Sequence, residues 1–217
     1  MDLVEEGTAL HQFSRPADRR NVIVGRPGDE TPQLQAPLFR LVANPTWTVP
    51  RSIQSTELAD KGDAYLRANG MAWRESWIVQ QPGPKNALGL VKFDMLNDYA
   101  IYLHDTPAKS LFSRSQRQLS HGCVRVLDAL GFADMIAREE GVADEWQRAR
   151  QTGEEQFVKL PREIPVRLLY QTAFVGPEGQ VQLHADPYGW DTAVAEGLGF
   201  AQQGRSRLRS DADDIGP

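Results

Sequence analysis

Ser120-His121-Gly122-Cys123-Val124-Arg125-Val126 contains the single cysteine of a 217-residue chain. A thiol with a histidine, a glycine and an arginine within two positions can be a nucleophile, a metal ligand or an inert core side chain. A core cysteine belongs more naturally in an unbroken apolar run, whereas this one has polar, glycine-punctuated neighbours. If the backbone is extended here, His121, Cys123 and Arg125 leave the same face. The thiolate is the attacking species, so a catalytic Cys123 needs a base or a cation nearby. Gly122 lets the backbone come close to a substrate, and the N–H groups of Gly122 and Cys123 can hold a developing oxyanion. Arg125 can grip a carboxylate with two parallel hydrogen bonds.

A second histidine, His104, lies nineteen positions before the cysteine, at the end of the apolar run Tyr99-Ala100-Ile101-Tyr102-Leu103-His104. A strand end is where a rigid sheet presents a side chain to a cleft. On the residues alone, either His104 or His121 can serve as the base. His104, His121 and Cys123 also make a three-ligand zinc set, but the spacing matches no zinc pattern and a fourth ligand is not evident. His11 and His184 fall in weakly patterned hairpin regions and read as surface residues.

Further out, short strands dominate. Leu3–Phe13 reads as a hairpin arm, Asn21–Gly25 as a strand closed by Arg26-Pro27-Gly28-Asp29, and Leu38–Ala43 as another, stopped by Asn44-Pro45. Leu88–Phe93 and Tyr99–His104 are strand-like around an Asn97-Asp98 turn, with a polar, basic connector over Ser110–Leu119. Val166–Val175 reads as a long strand, followed by the turn Gly176-Pro177-Glu178-Gly179 and the returning Val181–His184. Helices are predicted over Thr56–Ala68, capped at Ser55, and after Asp128 with Leu130, Ala133, Met135 and Ile136 in a stripe. Asp144–Gln151 is a third, ended by Gly153. Residues 49–84 interrupt the strand pattern as an insertion, whose Trp73 and Trp77 either line a groove or hold a small subdomain together. The balance predicts a mostly β (α+β) domain, a β-sandwich carrying a few helices, rather than a doubly wound parallel sheet. Residues 192–217 turn small and polar and read as a loosely ordered tail.

Composition excludes several classes. A net charge of −5 with scattered basic residues argues against nucleic acid as a partner. One cysteine rules out an internal disulfide scaffold. The sequence contains no apolar run of membrane-spanning length. Met1-Asp2-Leu3-Val4-Glu5-Glu6 is acidic and does not read as a signal peptide.

His104 followed by Ser120-His121-Gly122-Cys123-Val124-Arg125 resembles the signature of the YkuD-fold L,D-transpeptidases. Val24-Gly25-Arg26-Pro27, Asn44-Pro45-x-Trp47-x-Val49-Pro50, Gln81-Pro82-Gly83-Pro84-x-Asn86-x-Leu88-Gly89, Ile101-Tyr102-Leu103-His104-Asp105-Thr106-Pro107 and Thr172-Ala173-Phe174-Val175 are similar to the large YcbB-type branch. The resemblance implies a catalytic domain over residues 1–191, with residues 49–84 as a capping subdomain. It implies peptidoglycan stem peptides as substrate, formation of 3→3 cross-links with release of D-alanine, carbapenems as covalent inhibitors, no cofactor and no metal. Cys123 would be the nucleophile, His104 the general base, Asp105 the backbone carbonyl that orients it, and Gly122 an oxyanion donor. Ser120, His121, Arg125, Tyr102 and Trp77 would line the substrate pocket. A periplasmic or cell-envelope location follows from that substrate alone. Relatives in this branch carry a leader and further domains ahead of the catalytic part, so a shortened or reduced chain is expected here.

Overall fold

The computed structural model describes residues 2–3, 18–175 and 179–200, in two units, Met1–Leu169 and Tyr170–Pro217. In chain order the first unit opens with β1 (Asp2–Leu3), β2 (Asp18–Arg19), β3 (Val22–Gly25), β4 (Leu34–Ala43) and β5 (Trp47–Thr48). Then come α1 (Arg51–Glu57), α2 (Asp63–Ala68), β6 (Met71–Arg74), β7 (Trp77–Gln80), β8 (Val91–Met95) and β9 (Leu103–His104). A 3-10 turn (Lys109–Ser113), β10 (Gln118–Ser120), β11 (Val124–Val126), α3 (Ala129–Glu139), α4 (Ala143–Gln151) and β12 (Gln156–Leu168) complete it. The second unit holds the hairpin β13 (Ala173–Val175) and β14 (Val181–Leu183) and the helix α5 (Asp191–Gly197). This is a mostly β, α+β chain, as expected. No helix among the described residues is long and apolar enough to cross a membrane.

Seven strands form one mixed sheet in the order β10-β3-β11-β9-β8-β4-β12. The pairs β10–β3 and β11–β9 are parallel and the rest antiparallel. Fully buried Leu41, Phe93, Val91 and Val158 share a core with Phe132, Ala133 and Ile136 of α3 and with Trp146 of α4. The apolar stripe of α3 rides on Ala129, Phe132, Ala133, Ile136 and Ala137, while Leu130 and Met135 of the expected stripe lie at its margin. Asp128 caps this helix as expected, its carboxylate accepting from the N–H of Gly131 at 3.2 Å.

Residues 49–80 contribute most of a separate three-stranded sheet, β5-β7-β6, whose core of Val49, Ile53, Leu58, Leu66, Met71 and Ile78 forms its own cluster. The expected single helix over Thr56–Ala68 is in fact two. Ser55 lies inside α1, donating to the carbonyl of Ser52, and the chain turns at Leu58–Gly62, where the N–H of Lys61 returns to the carbonyl of Leu58 at 3.1 Å.

Other boundaries also moved, for identifiable reasons. β4 begins at Leu34, not Leu38, and β12 runs over Gln156–Leu168 rather than 166–175. Both longer strands run through prolines: Pro37 is the register partner of Pro165, and Pro161 falls in a register shift between Lys159 and Ile164. The predicted strand over Tyr99–His104 survives only at Leu103–His104. Ala100 is left-handed (φ 53°), and the Asn97 side chain binds the N–H groups of Tyr99 and Ile101 and the carbonyl of Ile101, replacing ladder bonds. Residues 191–197 are helical where loose order was expected; the rest of the expected tail beyond 200, and the hairpin arm after Leu3, lie outside the described residues.

Candidate active site

Three neighbouring strands bring the candidate residues together. In the parallel pair β9–β11, His104 is the register partner of Arg125 and Leu103 of Val124, with the Val124 N–H donating to the carbonyl of Tyr102 at 3.1 Å. Cys123, one residue before β11, therefore stands beside Tyr102. On the other side of β9, Lys92 of β8 is the partner of His104. The alternation of a strand then sends Tyr102 and His104 out of one face and Cys123 and Arg125 out beside them.

His104 is buried at 5% exposure, and its Nδ1 lies 2.5 Å from the carbonyl oxygen of Asp105. A carbonyl can only accept, so Nδ1 carries the proton and Nε2 keeps the lone pair. The carbonyl that holds this tautomer is itself fixed. The carboxylate of Asp105, 4% exposed, accepts from the N–H of Leu90 at 3.0 Å and pairs with Lys109. Gly89 (φ 63°) makes room for it, since a Cβ there would meet Oδ2 of Asp105 at 2.3 Å. Burial pushes the imidazole pKa down to about 3, the positive charges of Arg125 and Lys92 add to that, and the Asp105 carbonyl acts in the opposite sense. His104 is neutral at any ordinary pH.

Cys123 is half-buried. Its Sγ lies 3.9 Å from the carbonyl of Ala100 and faces the N–H and hydroxyl of Tyr102. Burial pushes the thiol above its ordinary pKa; both Tyr102 groups and the charges of Lys92 and Arg125 favour the thiolate but do not overcome burial. The resting pair is thus a neutral thiol and a neutral imidazole, with no hydrogen bond joining them among the described residues.

Tyr102 links the two. Its ring meets the His104 ring edge-on at 5.7 Å, Lys92 Nζ sits 4.5 Å from its centroid, and the Trp47 side chain bonds to its hydroxyl. Burial, then the neighbouring Cys123, pushes its phenol far above the usual range, so it remains a hydrogen-bond donor. Lys92 is held by Asp94 at 2.7 Å, and Asp94 also binds Arg40.

The turn before the cysteine is tightly braced. Gly122 takes φ 109°, which a side chain would resist. Its carbonyl accepts from Thr31 Oγ1 at 2.7 Å, its N–H donates to Ser120 Oγ at 3.2 Å, and Ser120 Oγ–H donates to the carbonyl of Cys123 at 2.6 Å. Ser120 is therefore buried scaffolding, and the Gly122 N–H is turned into the loop.

His121 leaves this cluster. Its Nε2 lies 2.7 Å from Oε1 of Glu57, the last residue of α1 in the insertion. Arg125 stays in it, half-buried, with its Nε enclosed and lacking a hydrogen-bond partner. Trp77 packs against the Arg51 guanidinium at 3.9 Å, and among the described residues no polar or ring contact joins it to Cys123, His104 or Arg125. Trp47 is the tryptophan that reaches the site. No group of three or more His, Cys, Asp or Glu among the described residues is arranged to hold a metal ion. The sequence carried no signal for Lys92 or Glu57, because each arrives from a segment distant in the chain.

Such a cluster offers a thiol, an oriented neutral base and a guanidinium with an unpartnered Nε within one face, the parts of an acyl transfer site. The sequence matches the YkuD family, described as L,D-transpeptidase catalytic domain, over residues 2–159. A Haemophilus influenzae protein described as "Putative L,D-transpeptidase" is 30% identical over 214 residues, covering 84% of this chain and 43% of that protein. The chain thus spans less than half the length of that relative.

Proposed function

The chain belongs to the YkuD family of L,D-transpeptidase catalytic domains, and we propose that it forms 3→3 cross-links between peptidoglycan stem peptides through an acyl-enzyme on Cys123. The observation that supports this best is the Nδ1–H bond of His104 to the Asp105 carbonyl, which leaves Nε2 as an oriented base in the same face as the only thiol. Sγ rests 3.9 Å from the Ala100 carbonyl, and contacts between a nucleophile and its base are commonly long before substrate arrives.

In the proposed reaction His104 Nε2 takes the thiol proton as Sγ attacks the carbonyl of the L,D-peptide bond in a tetrapeptide donor. The thiolate charge passes to the carbonyl oxygen, which the N–H groups of Cys123 and Gly122 receive. The Gly122 N–H exchanges its long 3.2 Å bond to Ser120 for this one. As the intermediate collapses, the C–N bond breaks and His104 returns the proton to the departing D-alanine. A side-chain amine of a neighbouring stem then attacks the thioester, His104 takes its proton, and Cys123 leaves as a thiol. Tyr102 donates to Sγ throughout and steadies the transient thiolate. The Arg125 guanidinium, its Nε unpartnered, takes a substrate carboxylate, and residues 49–84 cap the cleft. Action on peptidoglycan carries with it a cell-envelope location.

A carbapenem presents an acyl group with the same demand for a cysteine nucleophile. Intact-mass measurement after incubation with one should give a single covalent adduct per chain. A chain that remains unmodified would argue against the proposal.

A further inference from the structure

His121 and Arg125 flank the thiol in sequence, and the Glu57 carboxylate lies against the first and acts electrostatically on the second. The Nε2 of His121 lies 2.7 Å from Oε1 of Glu57, yet off hydrogen-bond geometry; burial disfavours the charge of Arg125, and the Glu57 carboxylate acts in the opposite sense. Glu57 comes from the insertion, not from the sheet that carries the rest of the site. It is also poorly seated in its own helix. It ends α1, where the helix dipole disfavours a carboxylate, and the last turn of α1 has no basic residue to offset it. Its side chain is 46% exposed, so it can swing into solvent without unfolding anything. A misplaced, movable carboxylate against the His121 ring, beside a guanidinium whose enclosed Nε lacks a partner, is the arrangement of an internal stand-in for a ligand carboxylate.

We propose that Glu57 is a specificity-determining residue that occupies the carboxylate subsite of His121 and Arg125 in the substrate-free protein, and that the carboxylate of the donor stem must displace it to bind. This rests on the acyl-transfer function proposed above. A stem ending in a free carboxylate wins the subsite because Arg125 forms with it the hydrogen bonds it lacks with Glu57. A stem capped as a carboxamide has no charge with which to compete. Glu57 therefore weakens the binding of every carboxylate ligand and moderates the preference over amidated ones.

Calorimetric titration on the Cys123→Ala background, where no turnover occurs, separates the possibilities. The probes are a tetrapeptide stem ending in D-alanine and its carboxamide. Adding Glu57→Gln should tighten binding of the acid about tenfold and change that of the carboxamide by less than about twofold. Unchanged or weaker binding of the acid, or equal tightening of both peptides, would overturn the inference and leave the acyl-transfer proposal standing. If neither peptide binds either variant, that proposal falls and this one with it. The exposed helix-end position makes the variant safe for the fold, which a thermal melt of each protein checks.

Discussion

Cys123→Ala should abolish the carbapenem adduct and reduce D-alanine release from a tetrapeptide stem to the uncatalysed background. Loss of a nucleophile costs on the order of 10⁴–10⁶-fold, because what remains is binding and oxyanion stabilisation with nothing to attack. The substitution is mild for the fold. Sγ is only half-buried, its contact with the Ala100 carbonyl is a 3.9 Å approach, and the turn is braced by Thr31, Ser120 and Gly122 rather than by the thiol. A stability change of about 1 kcal/mol is expected, so a thermal melt near that of the native chain would assign the loss to chemistry. Residual adduct on the variant, mapped to another side chain, would show that Cys123 is not the nucleophile.

His104→Ala is expected to slow acylation about 10²–10⁴-fold, against less than about fivefold for His121→Ala, whose ring meets the half-exposed Glu57 carboxylate rather than the thiol. The pH profile carries the more specific signature. His104, pushed down to about 3 by burial and then by Arg125 and Lys92, is in its basic form throughout the range above about pH 4. The thiol, raised by burial, is protonated well past neutrality. Acylation assisted by His104 should therefore be nearly flat between pH 5 and pH 8, with both partners neutral throughout. Without the imidazole only the pre-ionised thiolate can react, and its fraction grows about tenfold per pH unit below its pKa. Stopped-flow acylation rates should be level for the native chain and should climb with a slope near one for His104→Ala. A native profile falling away below pH 6.5, or parallel profiles for the two proteins, would contradict a buried neutral base.

Much of this site was legible in the sequence. Cys123 stood out as the single thiol among polar, glycine-punctuated neighbours and His104 as the end of an apolar run, and the family resemblance chose His104 over His121 as base. The structure supplies a reason for that preference: His121 leaves the turn toward Glu57, while His104 stays in register with Arg125. Tyr102 was expected to line the substrate pocket, and its N–H and hydroxyl face the thiol. The consequence of Cys123 lying beside Tyr102 depends on the β9–β11 register, which no local pattern encodes. Trp77 was preferred to Trp47 because both lie near the insertion and nothing in composition distinguishes them; Trp47, on β5, is the one carried to Tyr102. Lys92 and Glu57 were invisible for the same reason, as ordinary charged residues made relevant by a partner elsewhere.

The larger strand errors share one physical origin. Local rules treat proline as a break, yet Pro37 and Pro165 neutralise one another as register partners, and Pro161 sits in a bulge. Conversely, Tyr99–Tyr102 has strand composition but is diverted by the Asn97 side chain, an interaction four residues long that β-propensity does not weigh. The mostly β architecture emerged despite these shifts, because Val22–Gly25, Leu38–Ala43 and Val166–Leu168 are all strand as expected.

The central claim is that the thiol of Cys123 transfers a stem-peptide acyl group to an amine. Its most direct test is mass-spectrometric mapping of the products when the purified chain is incubated with disaccharide tetrapeptide. The prediction is release of D-alanine together with dimers joined between the diaminopimelate residues of two stems. Tripeptides accumulating without dimers would make water the acceptor and the chain a hydrolase, and an unchanged substrate would contradict acyl transfer altogether.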